Sequence, residues 1–428
     1  MMKLKKMYLC KKVSMNKTNG FFPFVGIHSE KKGEKMKKLF ICIVLFIIPF
    51  TASFAQNLYD ALMESIEANN STLKALRAQA ETQKLANYTG IYLPNPEVEF
   101  NYLWGNPAAI GNRTDFSISQ TFDFPSAYSY REHIAELQSA NAELAYKSER
   151  MSILLSAKKT VIELVYRNAR MKELLFRLQN AERISETTQT KLDKGDANIL
   201  EYNKSRLNLT AIQAEITGLN AERTALLSEL RRLNGGEAID ISEDEFSPSA
   251  LPADFESWYA DMEQINPVLQ YVKGEIAVSR EQLKLSRSLT LPKFKTGYMS
   301  EKIVGEHFQG ITVGVTIPLW ENKNRLKQAR SQIKTSETVL EDQKIQFYNR
   351  LQSQYLKASV LQKNASHLRQ STVENRNDAL LKKALDAGEI SLLTYLMEIG
   401  YYYDALEKVL ATERDYELAV AELNAIAM

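Results

Sequence analysis

Cysteine and clustered histidine are missing from most of this 428-residue chain, and their absence excludes several kinds of chemistry. Cys10 and Cys42 are the only cysteines, and both lie in a segment that the sequence marks for removal. The rest of the chain has no disulfide, no zinc knuckle and no thiol nucleophile. His133, His307 and His367 are scattered, without the H-E-x-x-H spacing of a zinc enzyme. We therefore expect no catalytic residue, no resident metal site and no cofactor.

A phosphate-binding glycine loop and a lasting excess of positive charge are also absent. No stretch has the spacing G-x-x-x-x-G-K-S/T, so we expect the chain to carry no nucleotide-driven step of its own. The net charge is +2, but residues 1–55 hold 11 lysines and 2 glutamates, and without them the net charge becomes −7. The basic isoelectric point therefore does not indicate a nucleic-acid partner.

Residues 36–55 have the pattern of a secretory signal: a short basic start, an apolar run over 39–50 and a small-residue cleavage site that ends at Ala55. A membrane anchor would need about 20 apolar residues, which is more than this run offers. Lipidation at Cys42 is a third option, but this cysteine stands at the start of the apolar run rather than at its end. Residues 1–35 are interpreted as an upstream extension that precedes the true start.

Beyond the signal, the chain contains two copies of one plan. The segment LDKGD at 192–196 recurs as LDAGE at 385–389, and Pro125 recurs as Pro318 at the same spacing. Each copy is interpreted as a helix, two strands, a long helix, a glycine turn and a returning helix. The predicted boundaries are 56–234 for the first repeat (β-hairpin 97–124, long helix 126–193, return helix 198–234), 235–266 for a connector, and 267–428 for the second repeat (β-hairpin 293–319, long helix 320–387, return helix 390–426).

Proline and glycine are absent from two long stretches, residues 126–193 and 319–387. At about 1.5 Å rise per residue, a helix of that length is on the order of 100 Å long. Apolar residues at spacings of three and four run along the first stretch, which predicts a coiled-coil partner. Small residues off that seam, such as Ala135, leave room for a second neighbour. Gly195 and Gly388 predict a left-handed cap at which the chain reverses.

Four short segments alternate between apolar and polar residues, as a strand does. One of them is ITVGVTIPLW at 311–320. Such strands usually belong to a half-buried soluble sheet, and the helices alone would fit a filament or solenoid. Four strands cannot close a barrel, but three chains would supply twelve strands and remove the open edges that lipid does not tolerate. We therefore predict that these side chains face lipid: Phe100, Tyr102, Trp104, Phe116, Ile118, Phe122, Val313, Val315 and Ile317.

Together these features resemble the outer-membrane efflux protein family typified by TolC. The resemblance rests on the duplicated plan, the two glycine turns, and the segment 311–320 followed by NKNRLKQA at 322–329. That last pattern is most similar to the heavy-metal branch, the CzcC/CusC-like proteins. The resemblance implies a mainly helical, homotrimeric channel-tunnel in the outer membrane of a Gram-negative bacterium. A 12-stranded β-barrel, four strands per chain, would sit in lipid, and a long coiled-coil barrel would extend into the periplasm.

The resemblance also implies partners for the two glycine turns, which we call the tips. They would dock a periplasmic adaptor (a membrane fusion protein) and an inner-membrane pump of the resistance-nodulation-division type, through Lys194, Gly195, Asp196, Ala387, Gly388 and Glu389. Four tip carboxylates are candidates for a periplasmic gate: Asp193, Asp196, Asp386 and Glu389. Acidic residues also favour solvated turns and helix starts, so that simpler interpretation stays open.

The cargo is not determined by the residues. Heavy-metal cations are the expected cargo if the branch resemblance holds, and drug efflux or type I secretion would use the same architecture. A periplasmic coiled-coil adaptor fits less well, because that class of protein has one helical hairpin rather than two equal copies.

Overall fold

Long helices dominate residues 52–247, 249–373 and 377–427, which are the residues that the computed structural model describes. The upstream extension 1–35 and the apolar run of the predicted signal lie outside this part of the chain. The helices are α1 (Ala52–Asn69), α2 (Ser71–Asn87), α3 (Ser126–Lys194), α4 (Ile199–Leu233), α5 (Phe255–Ile265), α6 (Pro267–Ser288), α7 (Arg325–Val373), α8 (Asn377–Asp386) and α9 (Leu392–Leu423). In the described part of the chain, none of the helices combines the length and the apolar character needed to cross a membrane.

The helix α3 is the central element, with 69 residues. Pro125 precedes it with φ −50°, a backbone angle that already suits a helix, and only residues 123–125 separate β2 from this helix. One half of α3 packs between α2 and α6, and the other half packs between α4 and α9. This explains why α3 is buried on two sides, with Val165 of the predicted seam and Leu164 beside it both fully buried.

Each repeat has its own hydrophobic core. The first core lies between α1, α3 and α4, with Ile66, Leu164 and Leu230 each fully buried. The second core lies between α6, α7 and α9 and includes Leu269 and Leu423. At about 0.8 kcal/mol per buried CH₂ group, such side chains supply most of the free energy that holds the helices together.

The connector contains a helix, α5, which the sequence prediction of a plain connector over 235–266 did not include. This helix ends at Asn266, whose side chain accepts hydrogen bonds from the N–H groups of Val268 (2.8 Å) and Leu269 (3.3 Å) and so starts α6. In the same way, the side chain of Asn70 separates α1 from α2 by accepting a hydrogen bond from the N–H of Leu73 (2.8 Å). The helix α5 thus stands before α6 as α1 stands before α2, with a capping asparagine between the two helices of each pair.

The four strands form one antiparallel sheet in chain order. They are β1 (Glu97–Leu103), β2 (Arg113–Phe122), β3 (Lys293–Ile303) and β4 (Glu306–Thr316). The two hairpins β1–β2 and β3–β4 are joined by the β2–β3 ladder, in which Phe122 pairs with Phe294. The outer sides of β1 and β4 have no partner strand within the described residues.

Several boundaries differ from those predicted. Trp104, one of the predicted lipid-facing residues, lies just beyond β1, and a two-residue turn joins β3 to β4. The second long helix starts at Arg325 rather than at 320. The cause is Asn324, whose φ of 67° is left-handed. A right-handed helix that began at residue 320 could not continue through this residue.

Candidate functional site

The first candidate surface is one face of the sheet, which we call the apolar face. Cross-strand pairing places Phe100 opposite Phe116 and Val98 opposite Ile118. The same register continues across the sheet, because Ile118 pairs with Tyr298 and Tyr298 pairs with Ile311. Side chains alternate between the two faces of a strand, so these residues all lie on one side.

The apolar face is open rather than packed against the helices. Phe100 is 64% exposed, Val313 75% and Ile311 83%. Single exposed apolar residues are ordinary on a protein surface, but a contiguous apolar patch marks an interaction with another apolar phase. From Phe116 to Phe122 this face runs for roughly 20 Å along β2 at about 3.3 Å per residue.

The structure places the predicted lipid-facing residues of the strands on this one face. Phe122 is half-buried and the others on β1, β2 and β4 are exposed. Phe294, Tyr298 and Ile311 belong to the same face but were not among the predicted site residues. Ile311 could have been found from its alternating segment, whereas β3 has the weakest alternation of the four strands.

The opposite face of the sheet is more polar, although Met299 and Phe308 also lie on it. Ser117, Ser119 and Thr121 alternate with the apolar residues of β2, and Gly310 and Gly314 do so on β4. Arg113 bridges two carboxylates there, with Nε 2.8 Å from Asp115 Oδ1 and 3.1 Å from Glu301 Oε1. A sheet with one apolar and one polar face separates an apolar phase from water.

The second candidate surface is the pair of tips, which share one backbone design. Gly195 has φ 81° and Gly388 has φ 74°. At each tip the glycine N–H and the next N–H bond back to the preceding helix: Gly195 to Leu192 O (3.0 Å) and Asp196 to Lys191 O (2.8 Å). The equivalent bonds of the second tip are Gly388 to Leu385 O (3.0 Å) and Glu389 to Ala384 O (2.9 Å). This is the Schellman arrangement, which needs a left-handed residue.

Each tip is followed at once by a capped helix. The side chain of Asn198 accepts hydrogen bonds from the N–H groups of Leu200 (2.9 Å) and Glu201 (3.0 Å) at the start of α4. At the start of α9 the hydroxyl of Ser391 accepts one from Thr394 N–H (3.1 Å). Both reversals are thus fixed by local hydrogen bonds alone.

The four tip carboxylates are all exposed to solvent. Asp193 accepts a hydrogen bond from Gln189 Nε2 (2.9 Å) within its own helix. The two tips belong to one region, because Ile184 of α3 packs against Tyr395 and Ile399 of α9 in a small buried cluster. Burial raises the pKa of the Tyr395 phenol, which is consistent with a dry contact between the tips.

Farther from the tips, α3 and α9 are joined by a polar contact around Arg177. Its guanidinium donates to Glu173, donates to the backbone O of Tyr403 (3.3 Å), and lies 4.1 Å from the centre of the Tyr403 ring. Burial raises the pKa of Glu173 although Arg177 opposes the effect. Sequence reasoning did not identify this contact, because the three residues share no motif.

Several polar side chains hold the connector, and we single out one from each repeat, Asn168 and Glu417, as its two anchors. Asn168 of α3 donates to the backbone O atoms of Ile241 (2.8 Å) and Glu243 (2.9 Å). Glu417 of α9 accepts a hydrogen bond from the hydroxyl of Ser249 (2.5 Å). Burial raises the pKa of the Glu417 carboxyl. The contact made by Glu417 therefore depends on pH, whereas the Asn168 amide does not titrate.

No group of three or more His, Cys, Asp or Glu side chains that could hold a metal ion occurs among the described residues. The tip carboxylates therefore do not form such a group within one chain.

Comparison with known proteins identifies the fold. No model of a known family matches the sequence, and no curated protein matches it. Among solved structures, the CmeC outer membrane channel of Campylobacter jejuni is similar at TM-score 0.70 with 15% identity, over 86% of this chain and 85% of CmeC. The outer membrane protein VceC of Vibrio cholerae gives 0.69 with 12% identity, over 86% of this chain and 96% of VceC. CusC, a protein that forms a transmembrane channel, gives a TM-score of 0.67 with 13% identity, over 86% of this chain and 92% of CusC.

The chain thus has the fold of these outer-membrane channels over most of its length. This confirms the predicted mainly helical fold with a small sheet. CusC is no more similar to this chain than CmeC is, so the comparison does not single out the heavy-metal branch.

Proposed function

We propose that this protein is the outer-membrane channel of a tripartite efflux system, a passive conduit from the periplasm to the exterior. The observation that carries the proposal is the open apolar face on a four-stranded sheet with two unpaired edges. An edge in lipid leaves backbone groups without partners, and each unsatisfied group costs several kcal/mol. The sheet is therefore complete only when β1 and β4 pair with neighbouring chains.

A homotrimer satisfies these edges. Three chains supply twelve strands, an even number within the range of bacterial outer-membrane barrels. The apolar face then contacts lipid, and the polar face with Ser117 and Arg113 lines a water-filled interior. The similarity in fold to solved outer-membrane channels supports this assembly. The location follows: the outer membrane of a Gram-negative bacterium, with the helices in the periplasm.

The tips supply the site for partners. Both lie at the far end of α3 and of the segment that contains α7 and α8, away from the sheet. We infer that a periplasmic adaptor and an inner-membrane pump of the resistance-nodulation-division type bind there. Exposed apolar side chains beside the tips support this, because Leu200 is 74% and Leu393 54% exposed.

Heavy-metal export is the more specific proposal, and it rests on the resemblance of the segment 311–329 to the CzcC/CusC-like proteins. The channel would pass metal cations without holding them. The exposed carboxylates Asp193, Asp196, Asp386 and Glu389 would favour cations at the periplasmic end, because clustered like charges raise the local potential.

Bilayer conductance tests the gate. If these carboxylates line the pore, the channel should prefer cations, and Asp193→Asn with Asp386→Asn should weaken that preference in an intact trimer. An unchanged ion preference would leave the carboxylates as ordinary solvated turn residues.

Single cysteines test the topology, because the chain has no native cysteine beyond residue 42. Ala109 lies in the loop between β1 and β2, and Ala387 lies at the second tip. A membrane-impermeant thiol reagent added to whole cells should label Ala109→Cys and leave Ala387→Cys unlabelled. Permeabilising the outer membrane should then allow labelling of Ala387→Cys. Labelling of Ala387→Cys in intact cells would overturn the proposed orientation.

A further inference from the structure

An apolar pocket lies where the sheet meets the helices. Its volume is about 410 Å³, and it is lined by Leu93, Phe122, Asp123, Pro125, Tyr128 and Phe294. These residues come from the segment before β1, the end of β2, the start of α3 and the start of β3. The volume lies in the range of small-molecule sites, and a pocket with so apolar a lining is poorly suited to ordered water.

Hydrogen bonds hold the walls of this pocket in place. The side chain of Gln120 donates to Pro94 O (2.7 Å) and ties the segment of Leu93 to β2. The Tyr128 hydroxyl accepts a hydrogen bond from the N–H of Asp123 (3.0 Å). Arg131 donates to Asp123 Oδ2 (2.5 Å), and its guanidinium carbon lies 5.3 Å from the centre of the Tyr128 ring. The pocket is therefore a formed site rather than a gap between mobile side chains.

The position of the pocket decides what can fill it. Phe122 pairs with Phe294 on the two central strands, so the pocket opens on the apolar face. A neighbouring chain would pair with the outer sides of β1 and β4, and its strands would not reach the β2–β3 ladder. The occupant is therefore an apolar molecule from the phase that the apolar face contacts.

We propose that this pocket binds one acyl chain of a phospholipid from the periplasmic leaflet. The proposal rests on the proposed function, because it requires the apolar face to contact lipid. The pocket continues that face at its helix-proximal end, where the leaflet meets the periplasm. The Asp123–Arg131 ion pair beside it presents one charge of each sign, which complements a zwitterionic headgroup.

Among the described residues, the second repeat lacks the elements that build this pocket. At the equivalent place of the second repeat, Glu321 stands where the first repeat has Tyr128, and the helix begins only at Arg325. The ring of Tyr128 and the first turn of α3 are thus features of the first repeat alone. A trimer would bind three such lipids, one at each β2–β3 junction.

The test is native mass spectrometry of the full-length protein, purified in mild detergent and washed until free lipid is removed. We expect a trimer that retains one phospholipid per chain. Leu93→Trp places a larger side chain in the pocket and should reduce the retained phospholipid at least tenfold. Leu93 is 52% exposed, so this change should leave the fold intact.

Val313→Trp is the matched control, since it adds the same side chain to the open apolar face and should keep all three lipids. Equal retention by Leu93→Trp and wild type, or a pocket that holds detergent as an adventitious additive only, would overturn the lipid site. A protein that is monomeric and absent from the membrane fraction would instead contradict the proposed function.

Discussion

The two long helices occupy equivalent places in the two repeats, yet they differ in how they are buried. Leu154 and Val165 of α3 correspond to Phe347 and Ala358 of α7, and all four are buried. One side of each helix is therefore the same. On the other side the helices diverge: Glu163 of α3 lies 3.6 Å from Arg414 of α9, whereas the corresponding residue of α7, Leu356, is exposed.

The difference follows from the order of the helices. In one half of the structure that order is α2, α3, α6, α7, and in the other half it is α4, α3, α9, α7. The helix α3 has a neighbour on each side, whereas α7 stands at the edge. Leu356 and Val360, one turn apart on α7, are 59% and 57% exposed. The two repeats thus have similar sequences but unequal positions, and in the proposed trimer another chain would supply the second neighbour of α7.

The largest expected effect comes from charging the exposed side of α7. Leu356→Glu together with Val360→Glu should abolish the trimer, because a carboxylate buried without a partner costs several kcal/mol at each of three interfaces. Mass measurement in mild detergent reads the assembly state. Lys357→Glu, an exposed charge change on the same helix but off the stripe of Leu356 and Val360, should leave the trimer intact. A trimer that survives the double change would mean that α7 is not an assembly surface.

The second effect is on the core of the central helix. Leu164→Ala should lower the free energy of unfolding by about 2–5 kcal/mol, because it removes fully buried methyl groups and leaves a cavity. Lys357→Ala, at the equivalent place in the second repeat, should change it by less than about 0.5 kcal/mol. Urea unfolding followed by the helical signal compares the two. Similar losses at both positions would show that the repeats are more alike than their burial indicates.

The third effect is smaller and should be equal in the two repeats, because the tips share one backbone. Gly195→Val and Gly388→Val each force a β-branched residue into a left-handed conformation, at about 1–3 kcal/mol. Hydrogen exchange should increase at the tip amides of each variant while the trimer persists. Gly218→Ala, in the middle of α4 with open space around it, is the control and should not loosen the tips.

The double glycine variant also tests the role of the tips. It should reach the outer membrane as a trimer, because the sheet and the cores are distant, but efflux should fall. Unchanged resistance to every exported compound would remove the tips from the transport mechanism.

The smallest expected effect is a difference in how stability depends on pH when Glu417 or Asn168, the two anchors of the connector, is replaced. Burial raises the folded-state pKa of Glu417 above its ordinary value of 4.5. The stabilisation linked to its protonated form is complete below pH 4.5 and is lost as the pH rises through the folded-state pKa. The unfolding midpoint of Glu417→Gln should therefore decline less over that range than that of the wild type. Asn168→Ala should lower the midpoint by the same amount at every pH, since an amide does not titrate there.

The sequence predicted the elements whose signals are local. Gly195 and Gly388 mark the tips because few other residues adopt a left-handed backbone, and Phe116 and Ile118 reveal a strand through their alternation. The features that the sequence did not predict depend on contacts between residues that are distant in the chain. Leu164 is a core residue because α1 and α4, which are distant in the sequence, pack against it. The start of α7 was misplaced because Asn324 gives a weaker left-handed signal than glycine.

The candidate site also has a part that local sequence patterns predict and a part that they do not. The apolar face was predictable for β1, β2 and β4, but Phe294 and Tyr298 required the β2–β3 register. The pocket beside Tyr128 combines four segments that are separate in the sequence, and no motif indicates it. The contact of Arg177 with Tyr403 likewise joins two repeats whose relative placement a sequence pattern does not encode.

The β2–β3 ladder has a consequence for how the chain folds. Each hairpin is a local structure and forms as soon as its own residues are available, whereas Phe122 can pair with Phe294 only after the chain has been made as far as residue 294. Pairing between such distant segments is slow. Until it is complete, each hairpin exposes two free edges and an apolar face, which are templates for aggregation. The unassembled chain is therefore at its most vulnerable to aggregation at this stage, and a chaperone that covers these hairpins would protect it.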